Sequence, residues 1–234
     1  MAKYEKKIYI ITGSSSGIGL FLAKKLSIKN IVIGCSRGKV HFKNKNYFHY
    51  KLDLTNETQI INFINKIENK FKKIDVLINN AATNISHGSF LMTSNESIKT
   101  TLNTNVLSIF ILTKGIARIM LKNKSGKIIN ISSLVTKILP PGESIYASSK
   151  ASVETFTKII SKELKKLNIT CNCISPYLVK TKMIQKIDKI KVKFLLNKGK
   201  EKKFNSLKDI LFFVNFIVND KNLKVTGNNF RLRF

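Results

Sequence analysis

The chain has 234 residues, enough for one α/β domain and short for two. Its 42 Lys+Arg against 13 Asp+Glu give a formal charge of +29, while a 43% hydrophobic fraction and a mean hydropathy of −0.03 exclude a disordered polycation. Lys supplies 38 of the cations and Arg four, alongside 33 Ile and 24 Asn. That is the signature of A/T-rich codons rather than of an Arg-lined phosphate surface, so no specific nucleic-acid partner is expected.

Taken in chain order, short apolar runs alternate with helical patterns. Met1 to Lys7 is basic, but Ile8 to Ile11 runs at once into Gly and Ser, so it reads as a buried strand and not as a signal peptide. Gly17 to Ser27 follows as a helix, Ile31 to Cys35 as a strand, and Asn56 to Phe71 as a helix with Ile60, Ile61, Ile64, Ile67 and Phe71 at helical spacing. Asp75 to Ile78 is a strand, Ser94 to Leu121 a long helical region, Gly126 to Ser132 a strand and Tyr146 to Leu167 a helix. Ile169 to Ile174 is a strand and Leu207 to Val218 a helix. Strands apolar on both faces and separated by helices predict a doubly wound parallel sheet of Rossmann type, with residues 1–234 as a single domain. No run of eighteen apolar residues is present, the longest being Leu211 to Val218, so no membrane span is expected. Cys35, Cys171 and Cys173 are too few for a disulfide framework and suit a reducing cytosol. Tyr177 to Ser206, Lys-rich and weakly periodic after a strand end, is expected to be a mobile segment covering the substrate.

The first strand ends in Thr12-Gly13-Ser14-Ser15-Ser16-Gly17-Ile18-Gly19 and opens into a helix. Glycines there allow a tight turn and close backbone approach, and the helix N-terminus favours a pyrophosphate. Tyr146 and Lys150 stand at i and i+4 on one helix face, with Ser133 ending a strand thirteen residues before Tyr146. An ammonium on that face is expected to lower the pKa of the phenol. No metal site is expected.

With these motifs the sequence resembles the short-chain dehydrogenase/reductase family from about Lys6 to Gly227. Asp53-Leu54-Thr55 looks like its adenine-contacting pair after a third strand, and Asn79-Asn80-Ala81-Ala82 is similar to its Asn-Asn-Ala-Gly. Asn105 matches its catalytic Asn, Ile131-Ser132-Ser133 its serine strand, Ser175-Pro176 with Val179 and Thr181 its nicotinamide segment, and Val225-Thr226-Gly227 its late turn. The resemblance implies Tyr146 as acid or base, Ser133 as polariser of the carbonyl oxygen, Lys150 on the nicotinamide ribose and Asn105 holding a relay water. It implies cofactor contacts from Gly13, Ser15, Ser16, Gly17, Ile18, Gly19, Ser36, Arg37, Asp53, Leu54, Asn80, Ala81, Ala82, Tyr146, Lys150, Pro176, Val179 and Thr181. Gly34-Cys35-Ser36-Arg37 carries a cation and no carboxylate after the second strand, which favours NADP(H) and leaves NAD(H) as the alternative.

Three departures stand out: Ala82 and Tyr177 replace glycines, and Arg231 to Phe234 replaces an Asp-Gly-Gly tail. Within the family the likeness is greatest to 3-oxoacyl-[acyl-carrier-protein] reductases, with Lys124 at one basic docking place and Lys166 beside another. An acyl thioester on an acyl carrier protein is therefore the expected substrate. Sugars, other alcohols or ketones, and a non-catalytic cofactor-binding role are the alternatives. A cytoplasmic homodimer or homotetramer, associating through the two long helices, is implied.

Overall fold

The computed structural model describes residues 6–85, 88–181, 184, 192 and 204–232. Seven strands form one sheet in the order β3-β2-β1-β4-β5-β6-β7, every neighbouring pair parallel. They are β1 (Ile8–Thr12), β2 (Ile31–Ser36), β3 (Tyr47–Lys51), β4 (Val76–Asn79), β5 (Gly126–Ile131), β6 (Ile169–Ser175) and β7 (Asn229–Arg231). The doubly wound fold read from the sequence is the one observed.

Alternate side chains along each strand feed opposite faces, which is why the central strands are apolar throughout. Ile10, Ile33, Leu77 and Ile128 point to the face covered by α2 (Glu57–Phe71), α4 (Ser108–Lys122) and α6 (Ser144–Lys165). Tyr9, Ile11, Val32 and Ile129 point to the face covered by α1 (Gly17–Leu26) and α7 (Leu207–Asn219). Helix starts follow local chemistry: Asn56 accepts from the Gln59 amide at the head of α2, and Ser206 with Asp209 forms a reciprocal capping box on α7.

Two strands went unrecognised in the chain-order reading. β3 is a half-buried edge of aromatic and polar residues, and β7 is only three residues long. The long helical region is continuous but not uniform: α3 (Asn95–Leu102) widens into a π turn at Asn103–Leu107 before α4. By length and composition Asn95–Lys122 could cross a membrane although no eighteen-residue apolar run exists, and half of its most apolar window is buried inside the domain. A short α5 (Val135–Ile138) follows β5. The expected covering segment lies, past Thr181, almost wholly outside the described residues.

Candidate active site

Strand ends β1, β2, β4, β5 and β6 open on a cleft of about 490 Å³. At its floor Gly13 adopts φ +69°, and its amide and that of Ser14 donate to the Cys35 carbonyl at 2.8 and 3.2 Å, tying the turn to β2. A Cβ on Gly13 would stand 2.9 Å from the Ala81 Cα, and one on Gly19 2.4 Å from the Gly13 carbonyl, so both approaches require glycine. Ser16 sits extended before α1 without a side-chain cap, and no acidic residue occupies the first turn. Free N–H groups at the positive end of the helix therefore face the cleft, an anion cradle that fits a pyrophosphate.

Beside it, Ser36, Arg37 and Gly38 turn out of β2 along the rim. The Ser36 hydroxyl donates to the Gly38 carbonyl at 2.9 Å, and His49 Nε2 lies 3.1 Å from the same oxygen. Tyr47 Oη bridges His49 Nδ1 and Ser14 Oγ at 2.9 and 3.0 Å. Ser36 thus holds its own turn, while Arg37 is exposed. Asp53 Oδ1 accepts the Thr55 amide and hydroxyl at 2.9 and 2.8 Å. Those bonds, with Arg37 nearby, hold its carboxyl below the ordinary range. Leu54 is buried beside it. On the other side, the Asn80 and Ala81 amides both donate to Thr12 Oγ1 at 2.9 Å, which fixes the Asn80 to Ala82 segment against β1.

The catalytic candidates come from β5 and α6. Ser133 follows β5 and lines the cleft with Tyr146, its hydroxyl close enough to the phenol to favour the phenolate. Lys150, 1% exposed, donates from Nζ to the Ile131 carbonyl at 2.8 Å, with Nζ 5.8 Å from the centre of the Tyr146 ring. Burial pushes Lys150 down to about 8, opposed by Cys173 and Glu154. The phenol moves the opposite way from the sequence expectation: burial, and then the negative charge of Glu143, push the Tyr146 pKa up, and the Ser133 hydrogen bond offsets only part. Desolvation dominates, so the free protein presents a protonated phenol, an acid beside a hydroxyl.

Eighteen of the residues singled out in the sequence line this cleft: Gly13, Ser15, Ser16, Gly17, Ile18, Ser36, Arg37, Asp53, Leu54, Asn80, Ala81, Ala82, Ser133, Tyr146, Lys150, Pro176, Val179 and Thr181. Gly19 packs behind the turn. Asn105 lies behind the wall, fully buried on the π turn: Oδ1 accepts the Thr83 amide at 2.8 Å, and Nδ2 donates to the Thr83 carbonyl and Ser149 Oγ at 2.9 and 3.0 Å. Its amide holds Thr83, which does line the cleft. Sequence reading missed Glu143, 3% exposed, whose Oε2 accepts from Asn84 Nδ2 at 2.6 Å. The Pro140-Pro141-Gly142 turn just before it was the available signal. Also missed was an apolar half of Val135, Ile138, Pro140, Leu178 and Ile184. Tyr177 joins that half and packs with Leu134 and Leu178. Among the described residues no group of three or more His, Cys, Asp or Glu could hold a metal.

A family model described as short chain dehydrogenase matches residues 7–191. The 3-oxoacyl-[acyl-carrier-protein] reductase FabG of Buchnera aphidicola subsp. Baizongia pistaciae is 32% identical, covering 96% of this chain and 95% of that protein. The protein of the same name from Escherichia coli K12 is 28% identical, covering 96% and 94%. Among solved structures, ElxO with NADP bound superposes at TM-score 0.83 with 28% identity over 97% of both chains. 4-Hydroxyisoleucine dehydrogenase complexed with NADH superposes at 0.84 with 26% identity over 97% and 96%.

Proposed function

The chain belongs to the short chain dehydrogenase family, an oxidoreductase of Rossmann fold most similar to 3-oxoacyl-[acyl-carrier-protein] reductases, and on that premise we propose that it reduces 3-oxoacyl thioesters carried on acyl carrier protein with NADPH. The observation that carries this reading is the convergence of Ser133, Tyr146 and buried Lys150 on one cleft that also holds the glycine turn and an apolar half. A nicotinamide cofactor, when bound, supplies hydride. The residues do the rest: Ser133 donates a hydrogen bond to the substrate oxygen, and Tyr146 gives that oxygen its proton as negative charge develops there. Lys150 would hold the ribose hydroxyls of a bound cofactor and return a proton to the phenol, and Asn105 keeps the Thr83 wall in place behind them.

The phosphate preference is supported by Arg37 on the rim and by the absence of a carboxylate at the end of β2. The acyl substrate is supported by the apolar half around Ile138, Leu178 and Ile184, and by basic Lys124 and Lys166, which favour encounter with an acidic carrier. The names of the relatives point the same way. Residues 1–234 would act as one cytoplasmic domain. A homodimer or homotetramer through α3–α4 and α6 is supported by exposed Leu102, Leu107, Leu121 and Ile159 on those helices.

NADPH and NADH are each to be tested against 3-oxoacyl thioesters, simple ketones and sugars. Oxidation of NADPH with the thioester is expected. Tyr146→Phe should lower turnover by about 10² to 10⁴ and leave NADPH affinity unchanged. Normal NADPH binding without turnover on any carbonyl would overturn the reading.

A further inference from the structure

Glu154 has no part in the reaction just described, yet its carboxylate collects hydroxyls from three pieces of the cleft wall. Oε1 lies 2.9 Å from Ser132 Oγ, 2.8 Å from Thr136 Oγ1 and 3.2 Å from Ser175 Oγ. Ser132 precedes Ser133 at the end of β5. Thr136 belongs to α5, whose Val135 and Ile138 line the cleft, and Ser175 ends β6 just before Pro176. Glu154 itself stands on α6 four residues past Lys150 and eight past Tyr146, on the same face. Each hydroxyl has another acceptor within reach, respectively the Lys150 carbonyl, the Ser133 carbonyl and Asn229 Oδ1. An ionised carboxylate is the stronger claimant for a single hydroxyl proton, so the three bonds converge on it when it is charged.

We propose that Glu154 is a positioning residue for the reduction, clamping the ends of β5 and β6 and the start of α5 to the turn of α6 that carries Lys150. The proposal rests on the reductase reading and adds to it a residue that touches neither substrate nor cofactor. The same negative charge acts on Lys150 from one side. Among the described residues, the groups facing that ammonium are the Cys173 thiol from β6, Glu154 and Tyr146 from α6, and the Ile131 carbonyl from β5. Of these, Glu154 is the carboxylate, and it favours the charged form of Lys150 against the desolvation that opposes it.

Three variants separate clamp from charge. Glu154→Gln keeps the shape and removes the charge, Glu154→Asp keeps the charge on a shorter arm, and Thr136→Val removes one pin only. For wild type and each variant, kcat and KM are measured from pH 6 to 10, and NADPH binding is titrated by fluorescence over the same range. In Glu154→Gln, kcat should fall about tenfold, and the alkaline limb of both profiles should move to lower pH, since Lys150 loses its proton sooner. Glu154→Asp should return the limb to its wild-type place. Thr136→Val should lower kcat a few-fold and leave the limb alone. A kcat unchanged in both Glu154→Gln and Thr136→Val, or an unmoved limb in Glu154→Gln, overturns the proposal; Thr136→Val, which leaves the carboxylate in place, tests the clamp even if the Gln variant does not fold. Because NADPH binding is read without turnover, a wild-type protein that binds but does not reduce would sink the substrate reading and still leave the Glu154 test standing.

Discussion

Lys150→Met should make the cofactor-free protein more stable and nearly inactive. Lys150 is 1% exposed, and burial drives its pKa from the ordinary 10.5 to about 8. At about 1.4 kcal/mol per pH unit, holding that ammonium charged inside the fold costs about 3 kcal/mol at pH 7. Met has nearly the same length and fits an irregular apolar slot, but it forfeits the hydrogen bond from Nζ to the Ile131 carbonyl, a loss of about 1 kcal/mol. The net expectation is a gain of about 2 kcal/mol, or about 4–8 °C in Tm for a chain of this size. The gain depends on pH with a definite sign. Below about pH 8 Lys150 is protonated in both states and the folded protein carries the whole cost. Between about 8 and 10.5 the folded state gives up its proton while the unfolded state keeps it, so wild type gains stability as pH rises and the gap to the variant closes. Urea melts of both proteins at pH 7, 8, 9 and 10 measure this directly. A variant less stable than wild type at pH 7, or a gap constant from pH 7 to 10, refutes the reasoning. Turnover of the variant should fall by about 10² or more.

Arg37→Asp places a carboxylate on the rim after β2. It should raise KM for NADPH about 10- to 100-fold and lower that for NADH, read from initial rates with both cofactors; an unchanged ratio would remove Arg37 from phosphate recognition. Gly34→Ala would set a Cβ 2.2 Å from Tyr47 Oη and 2.5 Å from Ser14 Oγ. The clash should cost about 1–3 kcal/mol in thermal or urea melts. It should also weaken NADPH binding, because the same two hydroxyls brace the Ser36 to Gly38 turn through His49.

The sheet was legible because its central strands are apolar on both faces, a pattern with one structural meaning. β3 was not, because an edge strand buried on one side only admits the mixed run Tyr47-Phe48-His49-Tyr50-Lys51. At the site, Tyr146 and Lys150 were read from their i and i+4 spacing together with Ser133 and the glycine turn, since that spacing on a helix fixes which face they share. Spacing did not give the sign of the effect on the phenol. The sequence displays an ammonium one turn away and hides the burial and the Glu143 charge that push the phenol up. Ser36 was read as a ligand group and lines the cleft, and the bond of its hydroxyl to the Gly38 carbonyl is a contact the sequence did not display. Asn105 was found by family pattern, and its three bonds to Thr83 and Ser149 depend on contacts 22 and 44 residues away that no local pattern encodes.

The +29 charge divides along the same line. Among the described residues Lys150 is the only lysine classed with the buried polar groups. Others lie over aromatic rings at the surface, Lys70 at 4.8 Å from Phe48, Lys66 at 5.6 Å from Tyr50 and Lys24 at 5.8 Å from Phe42. There the aliphatic stems cover apolar edges while the ammonium stays in water. An ammonium so placed stays in water and carries no address, so codon drift can multiply it without consequence for the fold. Inside, the same group costs about 3 kcal/mol, with Cys173 and Glu154 favouring its charged form against burial. That burial, on the helix face shared with Tyr146 and Glu154, is why one lysine of the 38 can be singled out from the rest on physical grounds.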